Sequence, residues 1–252
     1  MSPSHSILGL HHVTAITGDA QKNLDFYTGV LGLRLVKLTV NFDDPTSYHL
    51  YYGDESGAPG TIMTFFVWPG AYRGRTGTGQ VAATSFSIPQ WSLSFWQERL
   101  HAAGVDASTR QRRFGDELIA FHDPDGLSLE IVSSHSAKNR AGGKHSPVPH
   151  EHAIRGFHGV TVLESDFSRA DVLADALGLR QIDHTGERRR FAMADGAGGG
   201  VIDVTISGGA QSGTVGAGAV HHVALRVPDD AQQVAWLEEL RRRHFNVSQV
   251  MD

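Results

Sequence analysis

Two tandem histidine pairs are the residues of this chain best suited to chemistry. One is Leu10-His11-His12-Val13; the other, Val220-His221-His222-Val223, follows far along the chain. Imidazole is the commonest protein ligand for catalytic metals, and mixed histidine and carboxylate sets suit iron, manganese and zinc. The chain has 15 histidines and no cysteine, which excludes disulfides, zinc–thiolate sites, iron–sulfur clusters and a cysteine nucleophile. Any transition-metal centre must therefore be built from imidazole and carboxylate. Both pairs sit in short strand-like runs, where neighbours point to opposite faces. One histidine of each pair can face a shared interior, while the other lies beside it or on the opposite face. Equivalent placement of two pairs in a repeat favours a joint role over two ordinary polar strand edges.

The repeat that positions them has four copies, beginning near Leu10, Ala82, Phe157 and Val220. Each starts with a strand and a polar turn, followed by an amphipathic helix. The apolar faces read as Leu24, Tyr27 and Leu31; Leu93, Trp96, Leu100 and Ala103; Ala170, Leu173 and Leu177; and Val234, Leu237 and Leu240. The complete copies close with GTIMTFFVW, GLSLEIVSS and GGGVIDVTISG, and the unit is β-α-β-β-β. The fold class is thus α+β, with tandem βαβββ modules, three complete and a fourth expected to be cut short at Asp252. Along the chain the modules group as a first domain over 7–134, a polar linker over 135–153 and a second domain over 154–252. His145, His150 and His152 fall in the linker and read as solvated. Arg188 to Arg190 and Arg241 to Arg243 read as solvated faces.

With 22 Lys plus Arg and 27 Asp plus Glu, the net charge of −5 argues against nucleic-acid partners or an anionic membrane surface. No apolar run reaches the roughly 20 residues that span a bilayer, and the start lacks a signal-peptide pattern. A cytoplasmic location is the expectation.

The sequence resembles the vicinal oxygen chelate superfamily, which contains glyoxalase I, bleomycin-resistance proteins and extradiol dioxygenases. More narrowly, it resembles ring-cleaving dioxygenases of hydroquinones. The resemblance rests on GLHHVTAITGDAQKNLDFYTGVLGLRLVKLTVNFDDP, YHLYYGDESGAPGTIMTFFVWPG, FHDPDGLSLEIV and AVHHVALRVPDD. It implies that modules 1 and 4, and modules 2 and 3, pair into curved sheets. Metal ligands would then come from the first and last strands of a module pair. Carried over by position, module 1 offers His12 and Thr64, module 2 Ala83 and Glu130, module 3 Gly159 and Asp203, and module 4 His222. Pairing 1 with 4 unites His12 and His222 as ligands of Fe(II), or of Mn(II), with a third, carboxylate ligand expected beyond residue 252. Such a two-histidine, one-carboxylate set leaves metal positions open. The resemblance further implies catalytic support from His11, His221 and Thr14, a hydroquinone-like or catechol-like aromatic diol as substrate, and dioxygen as co-substrate. Glu130, with no histidine at Ala83, reads as structural. His49 matches the family pattern without an assigned chemistry. The chain as given is expected to bind iron weakly and to be impaired, and its open strand edge to favour a homo-oligomer. A glyoxalase-type metal-dependent lyase or isomerase is an alternative that Thr64 argues against. A metal-free binding protein would leave both histidine pairs unexplained.

Overall fold

The computed structural model describes residues 6–42, 44–135, 137, 146–194, 199–209 and 211–250. Module 1 comprises β1 (Gly9–Thr17), α1 (Ala20–Leu24, continued by a π-helical turn over Asp25–Val30), β2 (Arg34–Val40), β3 (Tyr48–Gly53) and β4 (Ile62–Val67). Module 2 comprises β5 (Gln80–Ile88), α2 (Leu93–Ala102), β6 (Gln111–Arg113), β7 (Asp116–His122) and β8 (Ser128–Ser133). Module 3 comprises β9 (Phe157–Glu164), α3 (Ser168–Leu177), β10 (Arg180–Thr185), β11 (Arg188–Ala192) and β12 (Val201–Ile206). Module 4 comprises β13 (Val220–Arg226) and α4 (Asp230–Arg242). Among the described residues no helix is long and apolar enough to cross a membrane.

The strands form two sheets, ordered β13-β1-β4-β3-β2 and β10-β11-β12-β9-β5-β8-β7-β6. In every complete module the last strand runs parallel to the first: β4 beside β1, β8 beside β5, β12 beside β9. First strands meet antiparallel: β1 with β13, which forms the edge of the five-stranded sheet, and β5 with β9 at the middle of the eight-stranded one. Sheet membership therefore joins module 1 to 4 and module 2 to 3. The polar stretch 135–153 separates β8 from β9, which lie in the same sheet.

Asp19 caps α1 by accepting from the backbone N–H groups of Gln21 and Lys22 at 3.1 Å each. The widened turn after it, closed by Leu31 N–H to the Phe26 carbonyl at 3.0 Å, buries Phe26 and Tyr27 side by side. Tyr27 packs on Phe65 and Tyr52, with ring centroids 4.6 and 5.2 Å away, and Phe26 reaches Phe121 of module 2 at 6.5 Å. One core thus runs through both sheets.

Three helix faces differ from the sequence pattern. Leu173 is exposed, because α3 lies on its sheet through Ala170 and Ala174, whose small side chains let the helix approach Phe191 and Val204. In α4 the buried anchor is Trp236, and Val234 turns to solvent. Ala103 caps α2 and is exposed. The end of the expected linker is also packed. Val148, Ala153 and Ile154 are buried, His152 stacks on Phe95 with ring centroids 4.3 Å apart, and its carbonyl accepts from Trp96 Nε1 at 2.8 Å. His145 lies outside the described residues.

Two devices lock the modules together. The connections before β5 and before β13 run side by side, exchanging backbone hydrogen bonds between Arg75 and Thr214 at 3.0 and 2.8 Å and from Gly74 N–H to the Ala217 carbonyl at 2.8 Å. Glycine is required at the crossing: a Cβ on Gly77 would lie 2.0 Å from the Gly213 nitrogen. The second device is the Asp123-Pro124-Asp125-Gly126 turn. Asp123 accepts from the backbone N–H groups of Asp125 and Leu127 and from the Tyr27 hydroxyl at 3.1 Å. Asp125 accepts from the Thr17 hydroxyl at 2.6 Å. The acidic turn of module 2 is thereby bolted to module 1.

Candidate metal centre

The pairing of β1 with β13 contains two register shifts, and each leaves a histidine without a cross-strand partner: His11 on β1 and His221 on β13. A bulge sets two consecutive residues opposite one and bends the strand. Here it brings both members of each pair together instead of sending them to opposite faces. His11 Nδ1 lies 3.0 Å from His12 Nδ1, and His221 Nδ1 lies 2.8 Å from His222 Nδ1. With Nδ1 held from outside, the other ring nitrogens converge: His12 Nε2 is 3.1 Å from His222 Nε2, across 210 residues of sequence.

Thr14, buried on the same strand, bonds His222 Nε2 at 3.0 Å and the Thr64 hydroxyl at 2.7 Å. Thr64 is bonded by His49 Nε2 at 2.9 Å, and His49 Nδ1 by the Tyr51 hydroxyl at 2.9 Å. Phe66 packs beneath the imidazoles, its centroid 4.4 Å from the ring of His49 and 5.1 Å from that of His221.

The environment favours the neutral form of His11, His12, His49 and His222. Burial, then the nearby His222, His11 and His49, pushes His12 down to about 4. Burial, then His222 and Lys37, does the same to His49, also to about 4. His222 is lowered by desolvation of its inward ring face and by His221, although the residue as a whole is open to solvent. His11 is lowered by burial and by Arg226. Neutral imidazoles offer lone pairs, the state a metal needs. Two nitrogens that bind one metal at about 2.1 Å each must lie about 3–3.5 Å apart, and the observed 3.1 Å fits. Among the described residues, no group of three or more His, Asp or Glu side chains is arranged to hold a metal ion. The last-strand position facing the pair carries the Thr64 hydroxyl.

The eight-stranded sheet repeats this construction with a different filling. Its central pairing has the same two register shifts, at Ala82 and His158, so Ala83 and Gly159 occupy the places of His12 and His222. A Cβ on Gly159 would come 2.3 Å from the Val201 carbonyl oxygen, so no histidine fits there. Glu130 and Asp203 stand where Thr64 stands in the first sheet. Arg113 grips Glu130 through two bonds of 2.8 and 2.7 Å, and Ser85 donates to it at 2.6 Å. Arg190 holds Asp203 at 2.7 and 3.1 Å and Asp116 at 2.5 Å, while Arg188 reaches Asp203 at 3.4 Å. The expectation that Arg188 and Arg190 are solvated is thus corrected: they fill the equivalent site of the eight-stranded sheet, a second cup, with guanidinium charge. Strand alternation was the available signal, since it places 188 and 190 on one face and Arg189 on the other. Arg189 does point to the other face, where it pairs with Asp171 of α3 at 2.6 Å and lies 3.9 Å over the Phe167 ring. Arg243, expected to be solvated, is instead paired with Glu239 and Asp175 at 2.5 and 2.6 Å.

Comparison with known proteins agrees with this architecture. A family model described as the Glyoxalase/Bleomycin resistance protein/Dioxygenase superfamily matches residues 9–131. A Bacillus subtilis (strain 168) protein named "Putative ring-cleaving dioxygenase MhqO" is 44% identical over 246 residues, spanning 97% of this chain and 78% of that protein. The chlorohydroquinone/hydroquinone 1,2-dioxygenase of Sphingobium indicum is 38% identical over 233 residues, 90% of this chain and 73% of that enzyme. A Bacillus subtilis crystal structure, described as a "putative dioxygenase", superposes with a TM-score of 0.92 at 43% identity, covering 99% of this chain and 79% of that one. Glyoxalase I from Zea mays shares the fold alone, with a TM-score of 0.64 at 17% identity over 92% of this chain and 79% of that one.

Proposed function

The chain belongs to the glyoxalase/bleomycin resistance protein/dioxygenase superfamily, and from that premise we propose that it is a non-haem Fe(II)-dependent ring-cleaving dioxygenase of hydroquinone-like or catechol-like diols. The observation that supports this best is the convergence of His12 Nε2 and His222 Nε2 at 3.1 Å, on rings kept neutral. These two residues would hold the metal, and Mn(II) suits the same donors. Bound there, iron would supply a meeting point for the aromatic diol and dioxygen and a route for electrons from ring to oxygen.

The chain's own groups do the rest. His11 and His221 brace the Nδ1 atoms of the two ligands and so fix both rings. His11 and His221 also offer nitrogen atoms beside the pair that can take a proton from a substrate hydroxyl or hydrogen-bond an oxygen ligand. Thr14 brings a hydroxyl to within 3.0 Å of His222 Nε2. His222 lies on the edge strand and is exposed on that side. Glu130 is committed to Arg113 and Ser85 in the other sheet and does not serve this pair.

The test is to titrate the metal-free chain with Fe(II) and with Mn(II) under anaerobic conditions, then to follow oxygen uptake with hydroquinone and catechol. Weak metal affinity that depends on both His12 and His222, with slow diol-dependent oxygen consumption, is the expected result. Affinity unchanged in both His12→Ala and His222→Ala would overturn the assignment.

A further inference from the structure

A row of polar residues leads away from the histidine pair. Tyr51, Thr64, Thr14 and His222 stand directly opposite one another across β3, β4, β1 and β13. His49, two residues from Tyr51 on the same strand face, closes the gap between Tyr51 and Thr64 with bonds of 2.9 Å on both sides. We infer that His49, anchored by Tyr51, is a positioning residue: it donates to Thr64 and so sets the direction of the hydroxyls that end at His222.

A neutral imidazole has one donor and one acceptor nitrogen, and each hydroxyl has one donor hydrogen. The chain can therefore run in only two directions. Inward, Tyr51 donates to His49 Nδ1, His49 Nε2–H to Thr64, Thr64 to Thr14, and Thr14 to a bare His222 Nε2. Outward, every bond reverses and a proton sits on His222 Nε2. Only the inward direction leaves His222 Nε2 without a proton of its own; a metal that takes its lone pair then displaces the Thr14 hydrogen. Thr14 and Thr64 are fully buried, so neither can turn to water for an alternative partner.

The second cup carries hydrogen-bond donors at the same two positions. Arg190 stands where Tyr51 stands and Arg188 where His49 stands, and both donate to Asp203, the counterpart of Thr64. Arginine can only donate, so in that sheet this strand supplies the hydrogens and the central residue of the last strand accepts them.

Three variants and two readouts test this. Long-range proton–nitrogen NMR correlation on the metal-free full-length chain reports which ring nitrogen of His49 is protonated. The expected answer is Nε2, shifting to a mixture in Tyr51→Phe; a protonated Nδ1 in the wild type overturns the inference. Mn(II) affinity is expected to fall about 10–100-fold in His49→Leu, the range seen when partners of a metal ligand are lost. It is expected to recover in His49→Gln, whose amide both accepts and donates. Equal affinity in His49→Leu and His49→Gln overturns the inference. The activity reading is separable: wild-type chain that binds Mn(II) but never consumes oxygen with a diol refutes the proposed reaction, while the tautomer of His49 still decides the positioning role.

Discussion

Replacing Arg113 by Met tests whether the guanidinium cluster of the second cup holds the eight-stranded sheet together. Arg113 is 16% exposed and its partner Glu130 6% in their side chains, so solvent screens the pair little. Breaking a buried pair from one side leaves an uncompensated charge and costs about 3–5 kcal/mol. The lower end applies here, because Ser85 still donates to Glu130 at 2.6 Å. Glu130→Met should cost less, about 2 kcal/mol, because Arg113 lies 4.0 Å from Asp203 and can turn to it. The double variant removes both charges. Apolar replacement of a buried pair is often close to neutral, and only the Ser85 hydroxyl then loses its partner, so about 1–2 kcal/mol is expected. The two sites should therefore couple by about 3 kcal/mol. Denaturant unfolding followed by tryptophan fluorescence reads this directly, since Trp96 is fully buried in the same half. Acid adds a second signature. Although burial alone would raise Glu130, the Arg113 hydrogen bonds and charge, with Ser85 and Arg188, hold it below the usual glutamate range. Its contribution is then complete above that range and is lost as pH falls through the depressed value. Arg113→Met should flatten that acid limb. Singles that cost under about 1 kcal/mol, or effects that simply add, would refute the view that these charges act as a pair.

Other outcomes follow from the geometry. His12→Ala or His222→Ala should abolish metal retention, measured by metal analysis after desalting, whereas His11→Ala or His221→Ala should keep much of it and slow turnover about 10–100-fold. The reverse pattern would mean that the wrong member of each pair has been assigned. Burial, with the Asp125 charge, raises Asp123 to about 6 against the hydrogen bonds it accepts. The folded state therefore binds a proton more tightly than the unfolded chain, and this group lowers stability as pH rises from about 4 to 6. Asp123→Asn keeps the turn's acceptor, and the stability difference between variant and wild type should change in that window; a difference flat with pH would exclude the raised value. Gly77→Ala places a methyl against the backbone of the neighbouring connection and should cost about 1–3 kcal/mol in denaturant unfolding; a neutral effect would mean that the crossing is loose.

The repeat was legible in the sequence because each module carries its own strand and helix periods, and those depend on neighbours in the chain. The pairing of module 1 with module 4 was not legible from those periods, since nothing local distinguishes one partner module from another; the family resemblance supplied it. The histidine pairs stood out by type, but the bulges that gather all four imidazoles depend on cross-strand register, which no single strand encodes. Arg188 and Arg190 were misread because a run of three arginines looks solvated until the facing strand is known to carry Asp203. Leu173 failed for a related reason. Hydrophobicity ranks leucine above alanine, but α3 sits on its sheet by closeness, and alanine gives it that.

The crossing of the two connections has a kinetic consequence. The eight-stranded sheet is built from one contiguous stretch of chain, while the five-stranded sheet takes β1 from before it and β13 from after it. Closing the 210-residue separation between His12 and His222 in an unfolded chain costs about 5 kcal/mol of loop entropy. Once the inner sheet has formed, the two connections leave it together and most of that closure is already made. The outer sheet should therefore dock late, and the histidine centre should be among the last features to appear during refolding. A metal that binds there would then act as a reporter of completed assembly, appearing after tryptophan burial and not with it.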